Sequence, residues 1–313
     1  MYKLFLIIIL ILFGHGLSAQ KRLILKLDSL VGAFYFNSGF DTNYVSRPPQ
    51  RFMAALHPDF SSIGITIGKN NQKANFYTDL SDKIGVFATY YGYGFGYSIK
   101  PRKGKKNDGE FNFRFFCRRF GIETDFSRAT LFTYTVSDGD TTNISERSDV
   151  DFIMRMYTLY YVFNNKKFSF PAAFDKSYTQ IKSCGSVLLG ASYITTKMST
   201  QKSDFNLKSK CFGVGMGYGY NFVTKKSLLI HVSAIPTFIM WEKNQILISH
   251  GHQNMKYKMT DIGLYCRSAV SYNFNTFYIG ADFVFYTTIL GDYGKISASF
   301  TRNISRLFIG MWF

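Results

Sequence analysis

The sequence predicts an all-β fold: an antiparallel transmembrane β-barrel of about twelve strands, following a cleaved signal peptide. Three observations carry this. The N-terminus has export chemistry, the remainder alternates aromatic residues with glycine or polar residues, and the chain stops on an aromatic that closes an alternating apolar strand.

Lys3 supplies a positive n-region, and Leu4 to Phe13 is an unbroken apolar run of ten residues. Leu17-Ser18-Ala19 offers a cleavage site, so the mature chain is expected to begin at Gln20. A transmembrane anchor is the rival reading, but ten residues rise only about 15 Å as a helix, half a hydrocarbon core. Residues 1–19 are therefore read as signal peptide, 20–58 as a periplasmic lead-in and 59–313 as the barrel. The lead-in has Leu23, Leu27 and Leu30 near helical spacing, then Asp41-Thr42-Asn43-Tyr44 and Arg47-Pro48-Pro49 as turn or extended chemistry.

Composition agrees. There are 33 Phe, 22 Tyr and 26 Gly but only 6 Pro, and mean hydropathy is −0.04. A chain this rich in aromatics, yet never continuously apolar, fits strands with one face in lipid and one facing inward. The net charge is +17, and cleavage removes only Lys3, leaving +16. So basic a chain raises nucleic acid as a partner, which an exported protein rarely meets. The expected partners are outer-membrane lipid and the phosphates of outer-leaflet glycolipid, or an anionic solute; the plainer reading puts Lys and Arg on loops and interfacial rims. No cofactor is implied. Cys117, Cys184, Cys211 and Cys266 allow three pairings. Each falls inside a predicted strand without zinc-type spacing, so they read as small packing residues.

The clearest strand is Tyr91 to Ile99, with Tyr91, Tyr93, Phe95, Tyr97 and Ile99 on one face and Gly92, Gly94, Gly96 and Ser98 on the other. The same pattern recurs over 211–222, where Gly213, Gly215, Gly217 and Gly219 lack dinucleotide spacing and read as room on a concave wall. Further strands are 60–68, 73–79, 111–126, 151–163, 183–196, 227–240, 258–274, 276–288, 294–301 and 306–313. About ten strands also fit, because those near both ends are weak. Tight turns at 164–167, 224–226 and 273–275 alternate with longer polar stretches at 127–150, 197–209 and 241–257. Arg302-Asn303-Ile304-Ser305 would be an outer connection, and a short one. In the last strand Leu307, Ile309, Met311 and Phe313 alternate, which resembles the C-terminal signal of outer-membrane barrels and implies insertion by the barrel assembly machinery.

Asp41-Thr42-Asn43-Tyr44, Tyr91 to Ser98, Phe111 to Glu123 with Arg118-Arg119-Phe120-Gly121, and Phe168-Ser169-Phe170-Pro171-Ala172-Ala173-Phe174 with Ser183-Cys184-Gly185-Ser186 together resemble a domain-of-unknown-function family of Bacteroidota outer-membrane barrels. The resemblance spans roughly residues 40–313. It implies an outer-membrane barrel and brings no catalytic residues.

Chemistry has few candidates. Alternation puts Arg114, Arg118, Arg155, Arg267 and Asp282 on the non-lipid side, as an anion-attracting pore or as an interior salt-bridge network. His231 and Ser233 share one strand face; with an orienting third group they would suit acyl chemistry on lipid, and without one they read as an interior hydrogen-bonded pair. His250-Gly251-His252 has two imidazoles without a nearby third metal ligand, and a solvated loop is the stronger reading. The resulting expectation is a monomeric, non-enzymatic barrel serving as a narrow channel, a hydrophobic-ligand carrier or a structural and surface-interaction protein. A lipid-modifying barrel enzyme is the alternative, and a secreted β-sandwich is a third possibility.

Overall fold

The computed structural model describes residues 39–313 apart from 70–71, 79, 101–107, 139–140, 201–205, 225–226, 249–250, 256–260 and 291–295. The chain divides into two units, Met1–Gly39 and Phe40–Phe313. The predicted signal peptide and the lead-in as far as 38 lie outside the described residues.

The second unit is a closed up-and-down barrel. Its strands are β1 (Phe52–Lys69), β2 (Ser81–Tyr90), β3 (Tyr93–Lys100), β4 (Asp108–Phe116), β5 (Phe120–Asp138), β6 (Thr141–Val162), β7 (Cys184–Thr200), β8 (Asn206–Thr224), β9 (Leu228–Ile248), β10 (Ile262–Asn273), β11 (Phe277–Leu290) and β12 (Ile296–Trp312). Each pairs antiparallel with its neighbour in sequence, and β12 returns to β1. Closure pairs both edges of each of these twelve strands, the condition a sheet must meet in lipid; a further short strand, Gly251–Met255, pairs with the far end of β9 alone, so the stretch 241–257 is largely strand rather than loop.

Side chains alternate across this wall as the pleat requires. On β8, Met216 is 62% exposed and Tyr218 53%, while Asn221 on the other face is fully buried. From Phe222 to Phe212 the outward residues are Phe222, Tyr220, Tyr218, Met216, Val214 and Phe212, and none is charged. Ten residues at about 3.3 Å each, tilted by about 40°, give a band about 25 Å tall, the height of a barrel's hydrocarbon belt. Lys210 and Lys208 follow on the same face, beyond the band.

Both ends of the barrel sequence lie at one rim, the terminal rim, with the tight connections. The β2–β3 connection is a two-residue turn in which Tyr91 (φ 47°) and Gly92 (φ 81°) both take the left-handed region, as a type I′ hairpin demands. Toward the far rim, β2, β3 and β4 stop early. A short strand, Gln72–Tyr77, replaces them there, pairing with β1 on one side and β5 on the other. The wall thus has one strand above where it has three below.

Twelve strands were expected and twelve close the barrel, but the boundaries moved. The predicted strand 111–126 is two strands joined at Cys117–Arg119. The segments 294–301 and 306–313 are one strand, so Arg302 to Ser305 is wall, not a connection. The segment 73–79 is the extension strand, and β2 was not foreseen. The stretches 127–150 and 197–209 are largely strand that projects beyond the band. β1 begins at Phe52, ahead of 59, although Pro58 lies within it. The ladder to β12 lapses at His57 and Pro58, where proline has no N–H to give. All four cysteines are free, and Cys117 sits in a turn rather than a strand.

Candidate functional site

The lumen gathers most of the buried polar and charged side chains among the described residues, and it is filled in three layers. At the terminal rim, residues 163–183 fold back into the barrel instead of forming a simple turn. Pro171–Phe174 make one helical turn, α1, whose residues are all buried. Proline at its start supplies the fixed φ a first turn favours. Lys176 (φ 57°) ends it in the left-handed conformation, with its N–H bonded to the Pro171 carbonyl at 3.1 Å. Phe168, Phe170 and Phe174 point into the barrel and crowd the ring of His231 at centroid distances of 6.1, 5.4 and 4.9 Å. Trp312 Nε1 donates to the Lys176 carbonyl at 3.2 Å. From the solvent side, Val45–Ser46 pair with Thr179–Gln180, and Asp41 N–H bonds the Lys166 carbonyl at 2.9 Å. The segment is a plug clamped between the wall and residues 41–46.

Burial moves two charges on this plug, which lies between strands rather than in one. Desolvation pushes Asp175 up to about 7, against hydrogen bonds from the Ser177 N–H and hydroxyl. Desolvation likewise pushes Lys176 down to about 7, against attraction from Asp175 and Asp282. Near neutral pH neither carries a full charge, which lowers the cost of lodging them inside a barrel.

The middle layer is a belt of charge. Glu123 sits between Arg114 and Arg267, each at 2.8 Å, and accepts from the Tyr160 hydroxyl at 3.3 Å. Glu110 takes Lys83 at 2.6 Å and Arg302 at 3.3 Å. Arg306 reaches Asp282 at 3.3 Å and Asp59 at 3.6 Å, and Asp59 also pairs with His57. These side chains come from β1, β2, β4, β5, β10, β11 and β12, so the belt ties most of the circumference together. Above it apolar side chains predominate, with Thr288, Glu242 and Asn244 buried among the inward residues. Ile63, Ile65, Phe132, Phe152, Met154, Met198 and Ile304 are all buried, and Phe152 stacks on Phe300 at 6.0 Å. Cavities of about 30 Å³ beside the plug and about 10 Å³ above it remain, room for one or two waters.

The predicted residues separate. Arg114, Arg267 and Asp282 are buried in the belt. Arg155 is not: Met154, Met156 and Thr158 take the inward phase of β6, so Arg155 stands exposed on the outer face. Arg118 lies in the turn between β4 and β5, because the predicted single strand breaks there. His250 lies outside the described residues, and only the backbone of His252 is described. No cluster of metal-ligand type occurs among the described residues.

His231 and Ser233 do meet, and a third residue joins them. His231 Nε2 lies 2.9 Å from Ser233 Oγ, and Nδ1 lies 2.7 Å from Asn221 Oδ1. Asn221 Nδ2 donates to the Ser169 carbonyl at 2.8 Å and to Gln180 Oε1 at 3.0 Å. A carbonyl can only accept, so the amide nitrogen faces the plug and Asn221 Oδ1 faces the imidazole. The proton therefore sits on Nδ1, and Nε2 accepts the Ser233 hydroxyl. That is the tautomer a serine nucleophile needs. It is also a latch, since Asn221 holds plug and histidine at once. Gly219 belongs to the same fit: a Cβ there would meet Leu188, Ser233 and Phe168 at 3.0–3.3 Å.

Sequence reasoning missed Asp59, Lys83, Glu110, Glu123, Arg302 and Arg306. Glu110 shares the parity of Arg114 and was within reach. Glu123 has the opposite parity until the turn at 117–119 is known. Lys83 went with the unseen β2, and Arg302 was hidden by the supposed break in β12; Arg306 opened the predicted strand 306–313 on the face opposite Leu307 and Ile309, and was within reach.

A model of a family described as a domain of unknown function, DUF4421, matches residues 40–311. The chain belongs to that family. No curated protein matches the sequence. Among solved structures, this DUF4421 barrel is similar to the translocator domain of the autotransporter NalP from Neisseria meningitidis: 9% identity, 95% of this chain, 98% of that one, TM-score 0.39. It is similar to the transport unit of the autotransporter AIDA-I from Escherichia coli: 11% identity, 90% and 98%, TM-score 0.40. It is also similar to the Pseudomonas putida toluene transporter TodX: 8% identity, 85% of this chain, 91% of that one, TM-score 0.34. Likenesses this distant say nothing of cargo or chemistry. The barrel assignment rests on the closed ladder itself.

Proposed function

We propose that this DUF4421 protein is an exported, monomeric outer-membrane barrel that conducts nothing and works through its surfaces, as a structural or surface-interaction protein. In this reading the segment before Gln20 is removed on export from a Bacteroidota cell. The terminal rim faces the periplasm, the β12 ending engages the assembly machinery, and the far rim faces outside. The observation that carries the reading is the filled lumen. A pore needs a continuous wet path, and here plug, ion-paired belt and apolar layer follow one another. The belt also argues against an anion channel, because its arginines are already matched by carboxylates within 3.6 Å. Planar-bilayer recording tests this directly. The purified barrel should give no stepwise current at moderate voltage, and stable, uniform conductance steps would refute the reading.

A second reading, a hydrolase acting on lipid or another acyl substrate, is favoured by one observation: the Asn221–His231–Ser233 chain has the right tautomer. Against it, Ser233 is 9% exposed and the plug aromatics cover the histidine. No substrate carbonyl can reach the hydroxyl while the plug is in place. A fluorophosphonate probe separates the two. Labelling that disappears in Ser233→Ala would favour the enzyme; no labelling is expected of the latch.

A further inference from the structure

Most cations of this chain that the wall turns inward are paired. One group turned outward is not. Lys197 on β7 stands directly opposite Lys208 on β8, and Lys210 on β8 stands directly opposite Lys243 on β9. All four are exposed and lie on the face that carries Tyr193, Phe212 and Trp241. Arg155 joins them through Thr195, which pairs with Arg155 on one side and Lys210 on the other. Three adjacent strands place these ammonium groups within a patch about 10 Å across. None of the five forms an ion pair among the described residues. Among the acids on this face whose side chains are described, Asp151 is held by Arg128 through both carboxylate oxygens at 2.9 and 2.7 Å.

Like charges directly opposite on a sheet repel, and the repulsion grows beside hydrocarbon, where the dielectric is low. Two such pairs side by side are an arrangement that a counter-charge would relieve. Its height identifies the source. The patch begins one residue pair beyond Phe212 and Trp241, which close the apolar band at the far rim. That is headgroup level, where lysine stems can lie along the barrel and present their charge to phosphate.

We propose that Lys197, Lys208, Lys210 and Lys243, with Arg155 at their side, form a binding site for the phosphate groups of a phosphorylated glycolipid of the outer leaflet. The site rests on the membrane orientation given under the proposed function. The glycolipid's acyl chains would lie against Phe212, Met216 and Phe238 below, and its phosphates would bridge the two lysine pairs. This gives a surface-acting barrel a defined lipid neighbour on one side of its circumference, the β7–β9 sector.

Native mass spectrometry of the detergent-solubilised full chain tests this, with lipid A as the probe and dephosphorylated lipid A and inorganic phosphate as further arms. Retention of phosphorylated lipid A, at least about tenfold tighter than the dephosphorylated form, is the expected result. Equal retention of the two forms would overturn the proposal. So would full displacement by millimolar inorganic phosphate, which would make the site a free-anion site. The variant pair Lys208→Glu and Lys243→Glu converts each Lys–Lys pair to Lys–Glu, so it should fold at least as well and lose the preference. Retained preference would also overturn the proposal. A control variant, Lys166→Gln with Lys167→Gln and Lys182→Gln, removes charge at the opposite rim and should bind as wild type. Heat-modifiable migration of every variant is read first. A barrel that fails to migrate as folded, or that needs no detergent, would instead sink the membrane reading beneath the proposal.

Discussion

The wall of this barrel carries two cationic clusters, one turned inward and one outward, and their treatment is opposite. Inside, Arg114, Arg267, Arg302, Arg306 and Lys83 each have a carboxylate within 3.3 Å. Outside, Lys197, Lys208, Lys210 and Lys243 have one another. The inner cluster has no access to solvent, so each charge must be matched within the protein itself. The outer cluster lies where mobile anions can reach it. The inner belt therefore reads as architecture that stitches the strands together, and the outer patch as a surface left open for a partner.

The largest effect expected from this contrast comes from the belt. Glu123→Ala leaves Arg114 and Arg267 facing each other without their anion, and removing one partner of a buried pair costs about 3–5 kcal/mol. Loss of heat-modifiable migration, or a sharply lowered urea midpoint, is expected; a wild-type midpoint would mean that the lumen is wet enough to solvate two free guanidinium groups. A smaller effect is expected at the latch. Asn221→Leu removes the bonds to Ser169, Gln180 and His231 and strands their polar groups, at about 1–3 kcal/mol for each buried group left unsatisfied. Limited proteolysis should then cut within 164–182 while the strands stay protected. Protection equal to wild type would show that the aromatic contacts hold the plug without the latch. The smallest effect belongs to the outer patch, where Lys210→Ser should lower the unfolding free energy by no more than about 0.5 kcal/mol, or raise it by relieving repulsion. A large loss there would erase the distinction between the two clusters.

The sequence showed the outer surface of this molecule better than its interior. Period-two alternation is local, so Tyr93 to Ile99 and Phe212 to Phe222 declared both their strand state and their lipid-facing side. The interior depends on parity carried across turns. One missed turn at Cys117–Arg119 hid Glu123, and one false break at Arg302–Ser305 hid Arg302. Missing β2 and counting 73–79 as wall were errors of opposite sign, as were the missed turn and the false break, which is why the strand number came out right with boundaries that did not. The plug gave a misleading periodic signal. Its Phe168, Phe170 and Phe174 look like strand residues in sequence and become lumen-filling only because the barrel closes around them. By alternation Asn221 is simply one more residue on the face of β8 that carries Gly217 and Gly219. It becomes the third member of the His231–Ser233 chain only through the register of β8 against β9, which places Asn221 opposite His231.

The account rests on which face of the wall meets hydrocarbon, and spin-label accessibility in bilayers measures that. In a background with the four free cysteines replaced by serine or alanine, single labels would be placed at Val86, Met216 and Ile309, with a label at Lys197 as reference. The first three should relax strongly with oxygen and hardly at all with a water-soluble nickel chelate, whereas the label at 197 should be open to the chelate. Chelate access at Met216 and Ile309 equal to that at 197 would contradict the account.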